Sequence, residues 1–218
     1  TVYRLLETLV RAGYVRRLPG GRGYVPTARV AILGGGFRDE TWPEETAAPI
    51  LAQAAGDVEW PLALATIYGA DIMVRAATES PFALSPIKPG FRMPVLETAA
   101  GWAMLGSLPQ AQRGGTIRAL RLQDAARGKA TMPDGVLLSH IAAASRAGFA
   151  VREHQNHTII AVPVNDIDGA AFASIGVRFF SRALTVRQAL AKYLPRLASA
   201  AQAVAHARSR PVQSHAAD

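Results

Sequence analysis

The chain has 218 residues, half of them hydrophobic, and a formal charge of +8 from 24 Lys and Arg against 16 Asp and Glu. That is enough for one or two domains with a real core, and no apolar run approaches the roughly 20 residues a membrane span needs. Cysteine is absent, which excludes disulfides, thiolate catalysis and zinc–thiolate sites and fits a reducing, cytoplasmic setting.

The charge is uneven. Residues 1–30 hold Arg4, Arg11, Arg16, Arg17, Arg22 and Arg29 against Glu7 alone, a net +5 and an electrostatic footprint for a polyanion. The start, Thr1-Val2-Tyr3-Arg4, lacks the features of a signal peptide and reads as an internal start with upstream residues missing. At about 100° per residue, Val2, Leu5, Leu6 and Leu9 share one helix face and Tyr3, Arg4, Glu7, Thr8 and Arg11 the other. Gly13 stands where only glycine cheaply takes the left-handed position that ends a helix. Two short strands around the basic, glycine-rich turn Pro19–Gly23 then predict a hairpin. A basic helix followed by a basic hairpin has the shape of a winged helix-turn-helix, its helix entering the major groove and its hairpin tip touching the backbone or minor groove.

Further along, Thr27 as N-cap with Val30, Leu33 and Phe37 at helical spacing predicts a short linker helix, weakened by Gly34, Gly35 and Gly36. Thr41, Pro43, Glu44 and Glu45 open a helix to about Ala55. Strands follow at 60–68 and 72–76 around a loop of about three residues, Gly69-Ala70-Asp71. Helices are predicted at 98–108, 110–120 and 134–147, and strands at 148–151, 158–164 and 170–180, the last two joined by the turn 165–169. A closing helix spans 185–207. The pattern is α+β: a mostly antiparallel sheet flanked by helices. The domains are a partial winged helix-turn-helix at 1–27, a linker helix at 28–45, a regulatory domain at 46–207 and a loose tail at 208–218.

Three segments together resemble one family. They are Thr1–Val15, the run Gly90-Phe91-Arg92-Met93-Pro94-Val95-Leu96-Glu97-Thr98-Ala99-Ala100-Gly101-Trp102-Ala103-Met104-Leu105, and Ile160-Ala161-Val162-Pro163-Val164. In that order they resemble the IclR family of bacterial transcriptional regulators, over residues 1 to about 205. Trp60-Pro61, Arg75–Thr78 and Tyr193-Leu194-Pro195 look most like the branch that regulates aromatic-acid catabolism. The resemblance implies a winged helix, a dimerising linker helix and a GAF-like effector domain. It also implies double-stranded operator DNA, a small organic-acid effector and a homodimer or tetramer as partners; no cofactor, metal or membrane partner is expected from the residues. This chain departs from the family pattern at Trp102, where Lys is usual, and at 152–157, where an acidic stretch is shortened.

For DNA, the residues favour Arg4 and Tyr3 at base edges, Thr1 beside a phosphate, Thr8 on the same exposed helix face, and Arg22 at the hairpin tip. Arginine on guanine is worth roughly 1–3 kcal/mol of discrimination, and the bland alternative is plain solvation. For the effector, Thr98, Ala99 and Ala100 begin a helix whose free N–H groups favour a carboxylate; close packing is the alternative use of such small residues. By resemblance Ala99, Ala100, Phe82, Ser85, Met93, Thr158, Gly176 and Arg178 match pocket positions. Gly176, Arg178 and Phe180 alternate onto one strand face, and either Arg178 or Arg75 would clamp a carboxylate through two N–H groups. Glu153, His154 and His157 lack a further ligand cluster and read as a solvated loop rather than a metal site. No nucleophile elbow, phosphate-binding loop or zinc-protease pattern occurs, so an enzyme is not expected. The rival reading is a stand-alone small-molecule domain or an enzyme acting on a small carboxylate.

Overall fold

The computed structural model describes residues 2–18, 20, 23–27, 29, 30, 43–83, 87–130 and 132–209. Helix α1, Val2–Arg11, ends at Gly13, whose φ of +76° is the left-handed turn. Gly13 N–H donates to Val10 O and Tyr14 N–H to Leu9 O, both at 2.9 Å, the paired bonds of a glycine-terminated helix. Strands β1 (Val15–Arg17) and β2 (Tyr24–Pro26) pair antiparallel with Arg16 opposite Val25. The Thr27 hydroxyl donates to Gly13 O at 2.6 Å, and Arg29 donates to Ala12 O while lying 4.9 Å over Tyr14. Helix, turn and hairpin are thus tied at the α1 terminus. The apolar face expected of α1 is uncovered: Val2, Leu5 and Leu9 are exposed. Of the linker predicted over 28–45, residues 28 and 31–42 lie outside the described residues, as do the hairpin positions 19, 21 and 22 and the tail from 210.

The main domain begins with a wide helical turn, Pro43–Ala47, that runs into α2, Ala48–Ala55. Six strands form one sheet in the order β5-β4-β3-β8-β7-β6. They are β3 (Leu62–Tyr68), β4 (Asp71–Ala77), β5 (Arg92–Pro94), β6 (Ala150–His154), β7 (His157–Asn165) and β8 (Ala171–Phe180). All neighbouring pairs are antiparallel. The β3–β4 loop is two residues rather than three, because Asp71 already pairs with Tyr68; Gly69 supplies its positive φ of +63°. Strand β5 has no counterpart in the sequence pattern. In β4 the partner of Leu64 is Ala76 and that of Ala65 is Val74, so Arg75 is the extra residue of a β-bulge.

Alternation along the strands builds two cores. On one face Leu62, Leu64, Ile160, Val162, Ile175 and Val177 pack against α2 and the long α6 (Val186–Ser209) through Leu51, Tyr193 and Leu197. On the other, Ala65, Ile72 and Ala161 meet α3 (Ala99–Ser107), α4 (Gln110–Ala126) and α5 (Asp134–Ala147) through Trp102, Leu105, Leu120, Leu137 and Ile141. Each fully buried Leu or Ile contributes about 1.5–3 kcal/mol of transfer free energy. Helix α4 runs past the predicted end at Leu120. Its last turn is fixed by the buried Asp124, which accepts from Arg127 at 2.7 Å; Arg127 also pairs Asp71 across the β3–β4 turn.

Polar ties lock the layers. Glu59, after α2, accepts from Lys192 Nζ at 2.5 Å and Tyr193 Oη at 2.8 Å on α6. These bonds hold its carboxyl down at about 2, and burial with the Glu59 hydrogen bond pushes the Tyr193 phenol up to about 12. Arg113 donates to Gly106 O and Leu108 O at 2.8 and 2.9 Å, capping the carbonyl end of α3.

Candidate functional site

Helix α3 starts on a crowded support. The short 3-10 turn Val95–Glu97 precedes it, and Thr98 caps it by accepting from Gly101 N–H at 3.0 Å. Trp102 donates its indole N–H to Leu96 O at 2.8 Å and stacks on His140 of α5, rings parallel and 4.0 Å apart. At Gly101 an added Cβ would lie 1.9 Å from Val95 O. Only glycine lets the helix sit this close, so the helix origin is fixed against the sheet.

Beside that origin the sheet carries a cavity of about 120 Å³. This is close to the ~150 Å³ of an apolar cavity that accommodates benzene. Its floor is made by the small residues Ala63, Ala65, Ala161, Ser174 and Gly176 on the middle strands β3, β7 and β8. Large side chains at those positions would fill the space. Ile72, Val74, Met93, Phe91, Ile87 and Ile159 form apolar walls, and Ala100 in the first turn of α3 reaches the space. Ala100 is among the first residues of α3, whose N–H groups have no intrahelical acceptor and give this helix end a partial positive charge.

The charged side chains on the cavity are of one sign. Arg178 on β8, Arg152 on β6 and the titratable His157 on β7 line it, and among the described residues no Asp or Glu does. Burial pulls the Arg178 guanidinium below its ordinary value. The His157 imidazole is also held low, first by burial and then by repulsion from Arg178, His154 and Arg152. Two guanidinium groups and an imidazole whose charge they disfavour, set around an apolar space, fit an anion, which would relieve the repulsion at His157.

The structure therefore brings together Met93, Ala100, Gly176 and Arg178; the other predicted effector positions among the described residues do not line the cavity. Arg75, the bulge residue, does not line the cavity, because the bulge gives that place to Val74. Phe82 is 54% exposed, its ring 5.8 Å from Trp60; Ser80 Oγ anchors this turn by donating to Glu59 O and accepting from Phe82 N–H. Thr98 is engaged in the helix cap, and Ala99 is fully buried in the core under α3. Thr158 has the wrong strand parity: His157 and Ile159 face the cavity, whereas Thr158 is buried with its hydroxyl 2.9 Å from Ser181 Oγ. Ser85 lies outside the described residues. Arg152, His157 and Ser174 line the cavity without being singled out by the sequence pattern. For Ser174 a signal exists, since it stands two residues before Gly176 in the same alternation.

In the N-terminal part, Tyr3, Arg4 and Thr8 are exposed on α1, and the Thr8 hydroxyl donates to Arg4 O at 2.9 Å. Arg17 is drawn to Glu7 of α1, which leaves Arg16 on the opposite strand face. Thr1 and Arg22 lie outside the described residues. His154 and His157 face each other across the β6–β7 hairpin, ring centroids 5.4 Å apart. Among the described residues no group of three His, Asp or Glu is placed to hold a metal ion, and no helix is long and apolar enough to cross a membrane.

A curled antiparallel sheet holding a small cavity beneath a helix origin defines an effector-binding regulatory domain. Residues 45–206 match the family model for the bacterial transcriptional regulator IclR C-terminal domain, and the chain belongs to the IclR family of transcriptional regulators. It is 28% identical over 206 residues to the "Probable transcriptional regulator SauR" of Cupriavidus necator, covering 92% of this chain and 81% of that protein. To the Pca regulon regulatory protein of Pseudomonas putida it is 26% identical over 211 residues, 94% of this chain and 71% of that one. The fold is shared with the inducer-binding domain of a PobR double mutant from Acinetobacter, crystallised with 3-hydroxybenzoic acid. The TM-score is 0.60 at 16% identity, covering 73% of this chain and 95% of that one.

Proposed function

We propose that this regulator senses a small aromatic monocarboxylate in the cavity under α3 and that occupancy changes its hold on double-stranded operator DNA. The observation that carries the reading is the pairing of a ring-sized apolar space with Arg178, Arg152 and His157 and, among the described residues, no acid on its lining. The ring packs among Ile72, Val74, Phe91 and Met93. The carboxylate takes two N–H groups of Arg178, with Arg152 and His157 beside it and the positive end of α3 at Ala100. The aromatic choice is supported by the cavity's size and by the PobR domain's 3-hydroxybenzoic acid.

In this reading residues 1–27 are the recognition helix and wing of a winged helix-turn-helix, residues 28–45 the linker, and residues 46–207 the effector domain. Tyr3, Arg4 and Thr8 of α1, with Thr1 and Arg22, meet the DNA, and the regulator works as a homodimer or tetramer rather than as an enzyme. The coupling is linkage: the ligand binds two states of the assembly unequally and shifts DNA affinity by the same factor. A tenfold change needs only about 1.4 kcal/mol of differential binding.

Titration calorimetry with benzoate and with short aliphatic oxo-acids tests the ligand, and Arg178→Ala tests the clamp. Benzoate should bind, and Arg178→Ala should weaken it at least tenfold, in keeping with about 1.5–3 kcal/mol for a hydrogen bond to a charged group. Binding of oxo-acids alone, or an undiminished Arg178→Ala protein, would refute the proposal. Fluorescence anisotropy on operator DNA with and without the acid reads the coupling.

A further inference from the structure

Ser174 sits at the middle of β8, between Ala65 of β3 and Pro163 of β7. Its residue is 1% exposed, it lines the cavity, and its Oγ has no hydrogen-bond partner among the described residues. A buried hydroxyl without a partner is costly. Nothing in the fold needs a hydroxyl here, since the floor positions around it are Ala63, Ala65, Ala161 and Gly176. A polar atom facing an apolar cavity can instead select what enters it.

Position sets what it would select. Ser174, Gly176 and Arg178 follow one another along the same strand face and all line the cavity. Four residues of strand, about 13 Å at Cα, separate the hydroxyl from the root of the arginine, whose side chain shortens that span. Gly176 between them has no side chain to block it. A ring with its carboxylate at Arg178 therefore presents its far edge to Ser174.

We infer that Ser174 is a specificity-determining residue that hydrogen-bonds a hydroxyl on the ring edge remote from the carboxylate, so that the preferred ligand class is the hydroxy-substituted aromatic acids. This rests on the carboxylate site proposed above. A site built to hydrogen-bond a ligand hydroxyl disfavours the analogue that lacks it, because the protein group is then left unpaired.

The test is calorimetric titration of the wild-type chain and Ser174→Ala with benzoate, 3-hydroxybenzoate and 4-hydroxybenzoate, with thermal melting of both ligand-free proteins. One hydroxybenzoate should bind wild type at least tenfold tighter than benzoate. Ser174→Ala should bring that ratio to within about twofold, keep or improve benzoate binding, and melt at the wild-type temperature or above. A wild type that binds benzoate without discriminating, or a Ser174→Ala protein that keeps the preference, overturns the inference and leaves the carboxylate site standing. A ligand-free Ser174→Ala protein that melts several degrees lower overturns it too, by showing a structural role. No binding of any of the three acids by wild type overturns both.

Discussion

Replacing Gly101 by alanine should unsettle the domain well beyond the size of one methyl group. The new Cβ would lie 1.9 Å from Val95 O, against an ordinary carbon–oxygen approach of about 3.3 Å. The obstacle is backbone on a short turn, so α3 must move by something near the difference, about 1.4 Å. That movement strains the Thr98 cap, worth about 1 kcal/mol, and the Trp102–Leu96 hydrogen bond, worth about 1 kcal/mol. Overpacking adds roughly 1–3 kcal/mol, and alanine's better helix propensity returns about 1 kcal/mol. The net loss is about 3 kcal/mol, or roughly 6–12 °C in Tm for a chain of this size. Urea unfolding followed by circular dichroism measures it, with Gly135→Ala in α5 as the control. A Cβ at Gly135 meets nothing within 4 Å, so that variant should be neutral or stabilised by up to about 1 kcal/mol. A Gly101→Ala protein within about 0.5 kcal/mol of wild type, on the scale of surface substitutions, would show that α3 has room to spare at Val95.

Ligand binding should take up a proton. The His157 value lies below the ordinary one in the free protein, and a bound carboxylate raises it, so affinity for benzoate should increase as pH falls from about 7.5 toward about 6. His157→Gln should flatten that dependence in calorimetric titrations, and a pH-independent wild type would count against it. Without ligand, the lowered His157 value means the unfolded chain binds that proton first, so its contribution to stability is lost as pH drops below the ordinary histidine value. Glu59, lowered from 4.5 to about 2, stabilises above pH 4.5, and that contribution is lost between about 4.5 and 2. Tyr193→Phe should remove part of this acid limb and cost about 1 kcal/mol, at the low end because Glu59 is half exposed; urea titrations at neutral and at acid pH, about 7 and about 3, read both effects. His140→Ala should cost about 0.5–1.5 kcal/mol through the lost stack on Trp102, measured by the same unfolding.

Elements with local punctuation are legible in the amino-acid sequence itself. Helix α5 begins after Pro133 and ends at Gly148 with φ +76°, and both signals lie in residues adjacent to the helix. The Thr98 cap is legible for the same reason. Strand β5 is not, because its three residues become a strand through pairing with β4, and nothing local marks them. On β8 the alternation groups Gly176 and Arg178 on the cavity, but Phe180, expected on the same face, packs against Trp60 and the other core instead. On β7 the family resemblance points to Thr158, although its neighbours His157 and Ile159 are the ones that face the cavity. Arg75 shows a different limit: a bulge shifts strand parity by one residue, and only the partner strand reveals it. Arg152 and His157 look like loop charges in the sequence because the curvature that brings β6 and β7 to the cavity belongs to the whole sheet.

The bulge at Arg75 also divides labour within a single strand. Before it, Ile72 and Val74 shape the cavity; after it, Ala76 belongs to the core shared with α2 and α6. Substitutions at Val74 reshape the cavity without touching the core shared with α2 and α6, whereas Ile72 also packs in the core beneath α3. Deleting Met73 would turn Val74 off the cavity face, whereas deleting Arg75 would leave Val74 opposite Ala65 and Ala76 opposite Leu64, so the bulge residue is where this strand can absorb a change of length.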